Sequence, residues 1–303
     1  MDPEVLRARL GRLARERRAD PSAAAPSGTS APSAVQTALP GMPERIAVPE
    51  PDGVETWLPG GEWRDRRGRV WVHERLRSDV ERMKPHWGRL DVPQEEEADL
   101  CALAACGLGR ALFLDLETGG LASSPVFLAG TMHWNGEDFV LRQYFARHYG
   151  EEATLIGALD EAARGFEFLV TFNGKSYDVP FLRGRAFTHG VPLALPPRHV
   201  DLLHPSRRRW GGRFRDCRLQ TLEFHVCRRR RSGDVPSDEV PGLYHDFVRR
   251  GDPYRLVPVF HHNLLDVITM GEILRALCRP GRPSRVAEKA ANTTFDTPPG
   301  PLL

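Results

Sequence analysis

The feature that most constrains the fold is a series of short apolar runs in the middle of the chain. The first run, ALFLDLET (111–118), is almost continuously apolar and ends in carboxylates. The next two, VFLAGTMHW (126–134) and DFVLRQYFA (138–146), flank Asn135-Gly136, a dipeptide typical of tight hairpin turns. Strand patterns are followed here by helical patterns and then by a further strand. This order predicts an α/β fold with a mixed sheet.

Helical patterns supply the layers that would cover such a sheet. The segment EEATLIGALDEAARG (151–165) has helical spacing and ends at a glycine, and FEFLVTFN (166–173) is a further apolar run typical of a strand. VPFLRGRAF (179–187) predicts a helix with Pro180 in its first turn, where proline is tolerated. HNLLDVITMGEILRALC (262–278) predicts a terminal helix.

Composition divides the chain into four parts. Residues 1–42 predict a short basic helix followed by a disordered linker rich in Ala, Pro and Ser. Residues 43–100 predict a small β-containing N-terminal extension, in which VWVHERL (70–76) is the clearest strand. Residues 101–279 predict the main domain, and the Pro- and Gly-rich residues 280–303 predict a flexible tail.

Composition also excludes several classes of protein. No run of about 18 apolar residues exists, so the sequence predicts no membrane-spanning helix and no membrane partner. The first residues contain acids and arginines without an apolar stretch, so they do not resemble a secretory signal. The five cysteines are scattered, which predicts reduced thiols and a cytoplasmic location.

Four carboxylates are the candidate functional residues. Asp115 and Glu117 lie two apart on a predicted strand, so both side chains are expected on one face. Asp178 follows the run TFNGKSY and precedes a predicted helix, and Asp266 lies in a largely apolar helix, where an acid is rarely buried without a partner. Helix caps, turn formers and surface acids are the alternative interpretations of these residues.

Convergence of these acids would create a site for a hard cation. Carboxylate oxygens suit Mg²⁺ or Mn²⁺, and two such ions can support cleavage of a phosphodiester. His261 and His262 are candidate bases, and their alternative role is to precede and cap the helix. On a helix, His262 shares a face with Asp266, whereas His261 would point elsewhere unless the helix begins only at residue 263.

Three motifs in order resemble those of the DEDD superfamily of exonucleases, which has a ribonuclease H-like fold. They are LDLETGG, FNGKSYDVPFL and HHNLLD, and the resemblance covers about residues 110–275. The chain is most similar to bacterial ribonuclease H-like domain-containing proteins, which are relatives of the proofreading domain of family B DNA polymerases. The segments RLQTLEFHV (218–226) and VPSDEVPGLYHDFVRRGD (235–252) also resemble that bacterial group.

The resemblance implies a two-metal hydrolysis of phosphodiester bonds from the 3′ end of single-stranded DNA or RNA. The metal-binding acids of the family correspond to Asp115, Glu117, Asp178 and Asp266. One ion would activate water with help from a histidine, and the other would stabilise the departing 3′ oxygen. Some members place a histidine five residues before the last acid, as His261 is here, and others a tyrosine four before it, where this chain has His262. Both therefore remain candidates.

An arginine-rich segment is the candidate nucleic-acid contact. Residues 207–231 contain ten arginines against Asp216 and Glu223, a net charge of +8. Such density predicts salt-dependent binding to phosphates, and an interleaved tryptophan could stack on bases. The alternative is a solvated loop with the tryptophan in the core. The predicted binding residues are Asn173, Lys175, Arg207, Arg208, Arg209, Trp210, Arg213 and Arg215. Asn173 and Lys175 lie beside the second motif and could equally be turn residues.

Two competing functions follow from the same residues. The fold could carry a non-catalytic nucleic-acid-binding module with a degenerate site, or a structure-specific endonuclease. The N-terminal helix could also recruit a protein partner, which is compatible with catalysis. The sequence leaves open the choice between DNA and RNA, because acids and metal ions contact only the phosphate.

Overall fold

The structure is a computed structural model that describes residues 53–81, 87, 90–91, 93, 97–121, 123–231 and 233–279. The helix and linker predicted for residues 1–42, and the tail predicted for residues 280–303, lie outside these ranges. The described strands are β1 (Gly61–Asp65), β2 (Gly68–Leu76), β3 (Ala111–Thr118), β4 (Val126–Trp134), β5 (Phe139–Phe145), β6 (Phe168–Thr171) and β7 (Arg198–Asp201).

These strands form one sheet in the order β1-β2-β5-β4-β3-β6-β7. β3, β6 and β7 run parallel, and the other neighbours are antiparallel. β4 and β5 form the predicted hairpin, in which the Asn135 side chain accepts hydrogen bonds from the backbone N–H groups of Glu137 and Asp138, and Gly136 takes a positive φ of 109°. The predicted mixed sheet is therefore confirmed.

The N-terminal extension adds two strands to the edge of this sheet. β1 and β2 form a hairpin, and β2 pairs with β5 through residues 71–76 of β2. The strand predicted at 70–76 is present and begins two residues earlier, at Gly68. The prediction of a β-containing extension is confirmed.

Helices cover both faces. They are α1 (Val54–Trp57), α2 (Ala98–Cys106), α3 (Glu152–Ala163), α4 (Asp178–His189), α5 (Leu203–Trp210), α6 (Leu219–Leu222), α7 (Val240–Arg250) and α8 (Val257–Leu277). Short 3-10 turns cover Arg77–Asp79, Leu108–Arg110, Tyr149–Glu151 and Tyr254–Leu256, and a π-helical turn covers Glu223–Cys227. In the part of the chain that the structure describes, no helix combines the length and apolarity needed to span a bilayer.

Alternation along β3 determines which helix each side chain meets. Phe113 belongs to the apolar cluster that contains Ile268 of α8, whereas Leu114 belongs to the cluster that contains Leu155 of α3 and Leu182 of α4. Because side chains two apart on a strand share a face, the positions that follow Phe113 at intervals of two also face α8. Those positions are the two acids at the end of β3.

The terminal helix begins earlier than predicted. The sequence predicted residues 262–278, whereas α8 starts at Val257. Pro258 lies in the first turn, where a missing backbone N–H costs no intrahelical hydrogen bond. Both histidines of the HHNLLD motif therefore lie inside the helix, about one turn or more from its start.

Candidate active site

The end of β3 carries two of the predicted acids. Asp115 and Glu117 lie on the face of the sheet that is covered by α8, as the two-residue spacing predicted. The register of β3 with β4 shifts between Glu117 and Thr118, so the strand departs from regular pairing directly after the second acid. Such irregularities re-aim side chains at the ends of strands.

Asn263 of α8 holds Asp115 in position. Its Nδ2 donates to Asp115 Oδ2 at 2.9 Å, and its Oδ1 accepts a hydrogen bond from Gln143 Nε2 of β5 at 3.0 Å. Gly130 of β4 lies opposite Asp115, and a Cβ atom there would overlap the Asn263 side chain. Asn263 is fully buried. The close approach of α8 to the sheet therefore depends on one glycine and a satisfied pair of amide side chains.

Asp178 enters the site from the turn between β6 and α4. It is the first residue of α4, and its carboxylate accepts a hydrogen bond from the Leu116 backbone N–H of β3. The preceding turn is held by Asp201, which accepts from the backbone N–H groups of Asn173 at 2.7 Å and Lys175 at 3.0 Å. Asn173 itself adopts a φ of 65°, which asparagine tolerates better than most residues.

Asp266 lies on the face of α8 that His262 shares. His262 Nε2 lies 3.3 Å from Asp266 Oδ2, the i and i+4 contact expected on a helix. The other oxygen of Asp266 accepts a hydrogen bond from Arg231. His261, one residue earlier, is solvent-exposed. The structure therefore brings His262, and not His261, next to an acid of the cluster.

Crowding of buried acids dominates the electrostatics of the site. Burial raises the pKa of Asp115 well above its usual range, and the charges of Asp266, Glu117 and Asp178 add to the effect. Burial also raises the pKa of Glu117 to about 8 and that of Asp178 to about 6, although backbone hydrogen bonds oppose the second shift. To be ionised together at neutral pH, these buried carboxylates need compensating positive charge.

Two cationic groups supply part of that compensation. Burial lowers the pKa of His262, but its hydrogen bond with Asp266 and the charges of Asp266 and Glu117 outweigh burial and raise it to about 9. The Arg231 guanidinium contacts Asp266 and is itself held by Glu223. Both side chains are more than nine-tenths buried. The cluster thus attracts positive charge from the protein itself.

The types of side chain at this site suit a divalent cation, whereas their positions in the structure do not yet form a coordination sphere. Four carboxylates of Asp115, Glu117, Asp178 and Asp266 offer the hard oxygen ligands that Mg²⁺ and Mn²⁺ prefer. Among the described residues, no three His, Cys, Asp or Glu side chains converge closely enough to hold an ion. Asp266 has both oxygens engaged by Arg231 and His262. Metal binding would therefore compete with these two side chains for Asp266.

Some arginines of the arginine-rich segment make contacts that stabilise the fold. Arg208 pairs with Glu97 at 2.7 Å, and Arg209 donates to the backbone oxygen of Leu277 at 3.2 Å, so both hold α5 against neighbouring elements. Trp210 is only 8% exposed and packs in the core, which corrects the prediction that it stacks on bases. The predicted binding residues that are exposed are Lys175, Arg207, Arg208, Arg213 and Arg215.

Two arginines of the same segment are neutralised by acids of neighbouring elements. Arg229 contacts Glu81 at 2.7 Å and Glu223 at 3.4 Å, and Arg231 contacts Glu223 and Asp266. The net charge of +8 therefore overstates the positive surface that this segment offers to phosphates.

Several residues of the site were not singled out from the sequence. Asn263, Gln143 and Asp234 act through contacts with residues far along the chain, which no local pattern indicates. Tyr177 is 70% exposed directly before Asp178, which makes it available to a ligand at this site. Its place beside a candidate metal-binding acid, in a turn, was the signal that could have identified it.

A family model agrees with this architecture. The model of the RNase_H superfamily matches residues 112–278 and confirms the predicted ribonuclease H-like resemblance. The uncharacterized protein YprB of Bacillus subtilis (strain 168) is 33% identical over 164 residues, which are 52% of this chain and 39% of YprB. The chain therefore spans less than half of that relative.

A similar solved structure is that of the family B DNA polymerase from the hyperthermophilic archaeon Pyrobaculum calidifontis. It matches with a TM-score of 0.42 and 20% identity. The match covers 54% of this chain and 24% of the polymerase chain.

Proposed function

Because this chain belongs to the RNase_H superfamily, we propose that it is a metal-dependent nuclease that removes nucleotides from the 3′ end of single-stranded DNA or RNA. Membership of the superfamily supports a nuclease-type function. The observation that carries the finer proposal is that Asp115, Glu117, Asp178 and Asp266 act on one another: burial, with the repulsion between these acids added to it, raises the pKa of the first three. Acids so crowded are typical of a site that works with cations.

The four acids would hold one or two Mg²⁺ or Mn²⁺ ions, which when bound supply an activated water and stabilise the oxygen that leaves the phosphate. The chain prepares these ligands through its own contacts. Asn263 orients Asp115, and the Leu116 N–H orients Asp178. Partners of this kind fix ligand orientation and raise metal affinity.

His262 is the better candidate for the general base. Its Nε2 faces Asp266, whereas His261 is exposed on another side of α8. The raised pKa of His262 arises from the carboxylates around it. Cations that neutralise those carboxylates remove this cause, so the ring can then accept a proton near neutral pH.

Substrate contacts would come from the exposed side chains near the second motif and from the exposed arginines. Tyr177 offers an aromatic face for stacking, and Lys175 offers a charge for a phosphate. Asn173 could contact substrate from the same turn. Arg207, Arg213 and Arg215 are exposed and can contribute salt-dependent attraction to phosphates.

The test of this proposal is cleavage of single-stranded DNA and RNA oligonucleotides that carry a label at the 5′ end. We expect Mn²⁺ or Mg²⁺ to produce a ladder that shortens one nucleotide at a time from the 3′ end, and a chelator to abolish it. The sugar of the preferred strand identifies DNA or RNA as substrate.

Two other outcomes would replace the proposal with its alternatives. Discrete internal cuts would indicate an endonuclease that uses the same acids. Salt-sensitive binding of both strands without any cleavage would indicate a non-catalytic binding module.

A further inference from the structure

The segment between the π-helical turn and α7 carries an acid that contacts the candidate base. Asp234 Oδ1 lies 2.6 Å from His262 Nδ1, and Asp234 Oδ2 accepts a hydrogen bond from Gln220 Nε2 of α6 at 3.0 Å. The carboxylate is therefore held on one oxygen by α6 and offers the other to the imidazole ring. Nothing in the order of the sequence motifs indicates this contact, because 28 residues separate the two partners.

The geometry makes His262 a bridge between two acids. Its Nδ1 meets Asp234 at 2.6 Å, and its Nε2 meets Asp266 at the longer distance of 3.3 Å. An acceptor at Nδ1 keeps a proton on that nitrogen and orients the ring, so that the other nitrogen is the one available for chemistry. The shorter contact indicates that Asp234 is the partner that holds the ring more tightly.

We propose that Asp234 is a positioning residue that holds the His262 ring through Nδ1 and directs Nε2 to the acid cluster. This inference rests on the proposed function, in which His262 takes a proton at Nε2. The arrangement of a base oriented by a third group recurs in enzymes that activate a nucleophile.

A purely structural role for Asp234 is less consistent with its surroundings. Its contact with Arg231 is long, at 3.7 Å, and Arg231 has closer partners in Glu223 and Asp266. Arg229 also ties the same segment to Glu81 and Thr269. The segment therefore stays attached to the site without Asp234, and the loss of this carboxylate acts mainly on His262.

The experiment compares Asp234→Ala and Asp234→Asn with Asp238→Ala, a matched control in the same segment whose side chain is exposed. We expect Asp234→Ala to lower kcat by about 10- to 100-fold, with a much smaller change in KM. Asp234→Asn keeps an oxygen acceptor and is expected to recover part of kcat, whereas Asp238→Ala leaves kcat unchanged.

A second readout is independent of cleavage. In the nuclear magnetic resonance spectrum of the full chain, the Nδ1–H proton of His262 is expected as a downfield, exchange-protected signal, assigned by its loss in His262→Gln. Asp234→Ala removes this signal, Asp234→Asn weakens it, and Asp238→Ala keeps it. Persistence of the signal in Asp234→Ala, its absence from the wild type, or an equal kcat loss in Asp238→Ala would overturn the inference. A chain that shows these signals but cleaves no strand would refute the proposed function alone.

Discussion

Replacing Asp115 with asparagine is expected to lower metal-dependent cleavage by more than about 100-fold, beyond the loss typical of residues that only support a metal ligand. Asp115 lies at the centre of the cluster, where Asp266, Glu117 and Asp178 all act on its pKa. An amide of the same shape keeps an oxygen that accepts from Asn263 but carries no charge for a cation. The measurement is the cleavage rate at saturating Mn²⁺.

The stability of Asp115→Asn shows whether its loss of activity arises from catalysis or from unfolding. A buried carboxylate without a cation destabilises the fold, so the uncharged variant should be as stable as the wild type, or more stable, in chelator. Glu137→Gln is the matched control, because Glu137 lies in the hairpin turn at the far end of β4 and is exposed. A large activity loss in that control, or an unfolded Asp115→Asn, would contradict the assignment.

The free energy of unfolding of the metal-free protein is expected to fall as the pH rises from about 6.5 to 9. The pKa of Glu117 is about 8 in the folded chain, against 4.5 for an ordinary glutamate, and that of His262 is about 9, against 6.5. Between each pair of values the folded state holds more protons than the unfolded state, so stability declines with pH. For Glu117 the decline is on the order of 2 kcal/mol or more.

Urea denaturation in chelator at several pH values measures this slope. Glu117→Gln should flatten it, because the uncharged amide does not titrate. Saturating Mn²⁺ should restore stability at the alkaline end, since a ligand that binds only the folded state stabilises it. Stability that rises over this pH range, or an unchanged slope in Glu117→Gln, would contradict the crowding of acids described above.

The central hairpin and the elements that carry Asp115, Glu117 and Asp178 could be predicted from local patterns. The hairpin at Asn135-Gly136, the shared face of Asp115 and Glu117, and the helix that begins at Asp178 follow from turn chemistry and periodicity. These features depend on neighbours within a few residues. Local patterns therefore placed these acids on their strand and helix, whereas the ribonuclease H-like fold and the convergence of four acids followed from the resemblance of the three motifs.

The remaining features of the site depend on contacts between residues that are distant in sequence, which local patterns do not indicate. Ten arginines look alike in sequence, yet Arg229 meets Glu81 and Arg231 meets Asp266, so charge density alone could not tell which of them reach solvent. The choice between His261 and His262 depended on where α8 begins, and Pro258 permits a start that the apolar pattern did not indicate. Tertiary partners thus decided what local patterns left open.

The most direct test of the central claim is calorimetric titration of Mn²⁺ into the wild type, Asp115→Asn and Glu137→Gln at neutral pH. The account predicts saturable binding to the wild type and to Glu137→Gln, and loss of that binding in Asp115→Asn. Equal binding by all three proteins, or no binding to the wild type, would show that the four carboxylates do not form a metal centre.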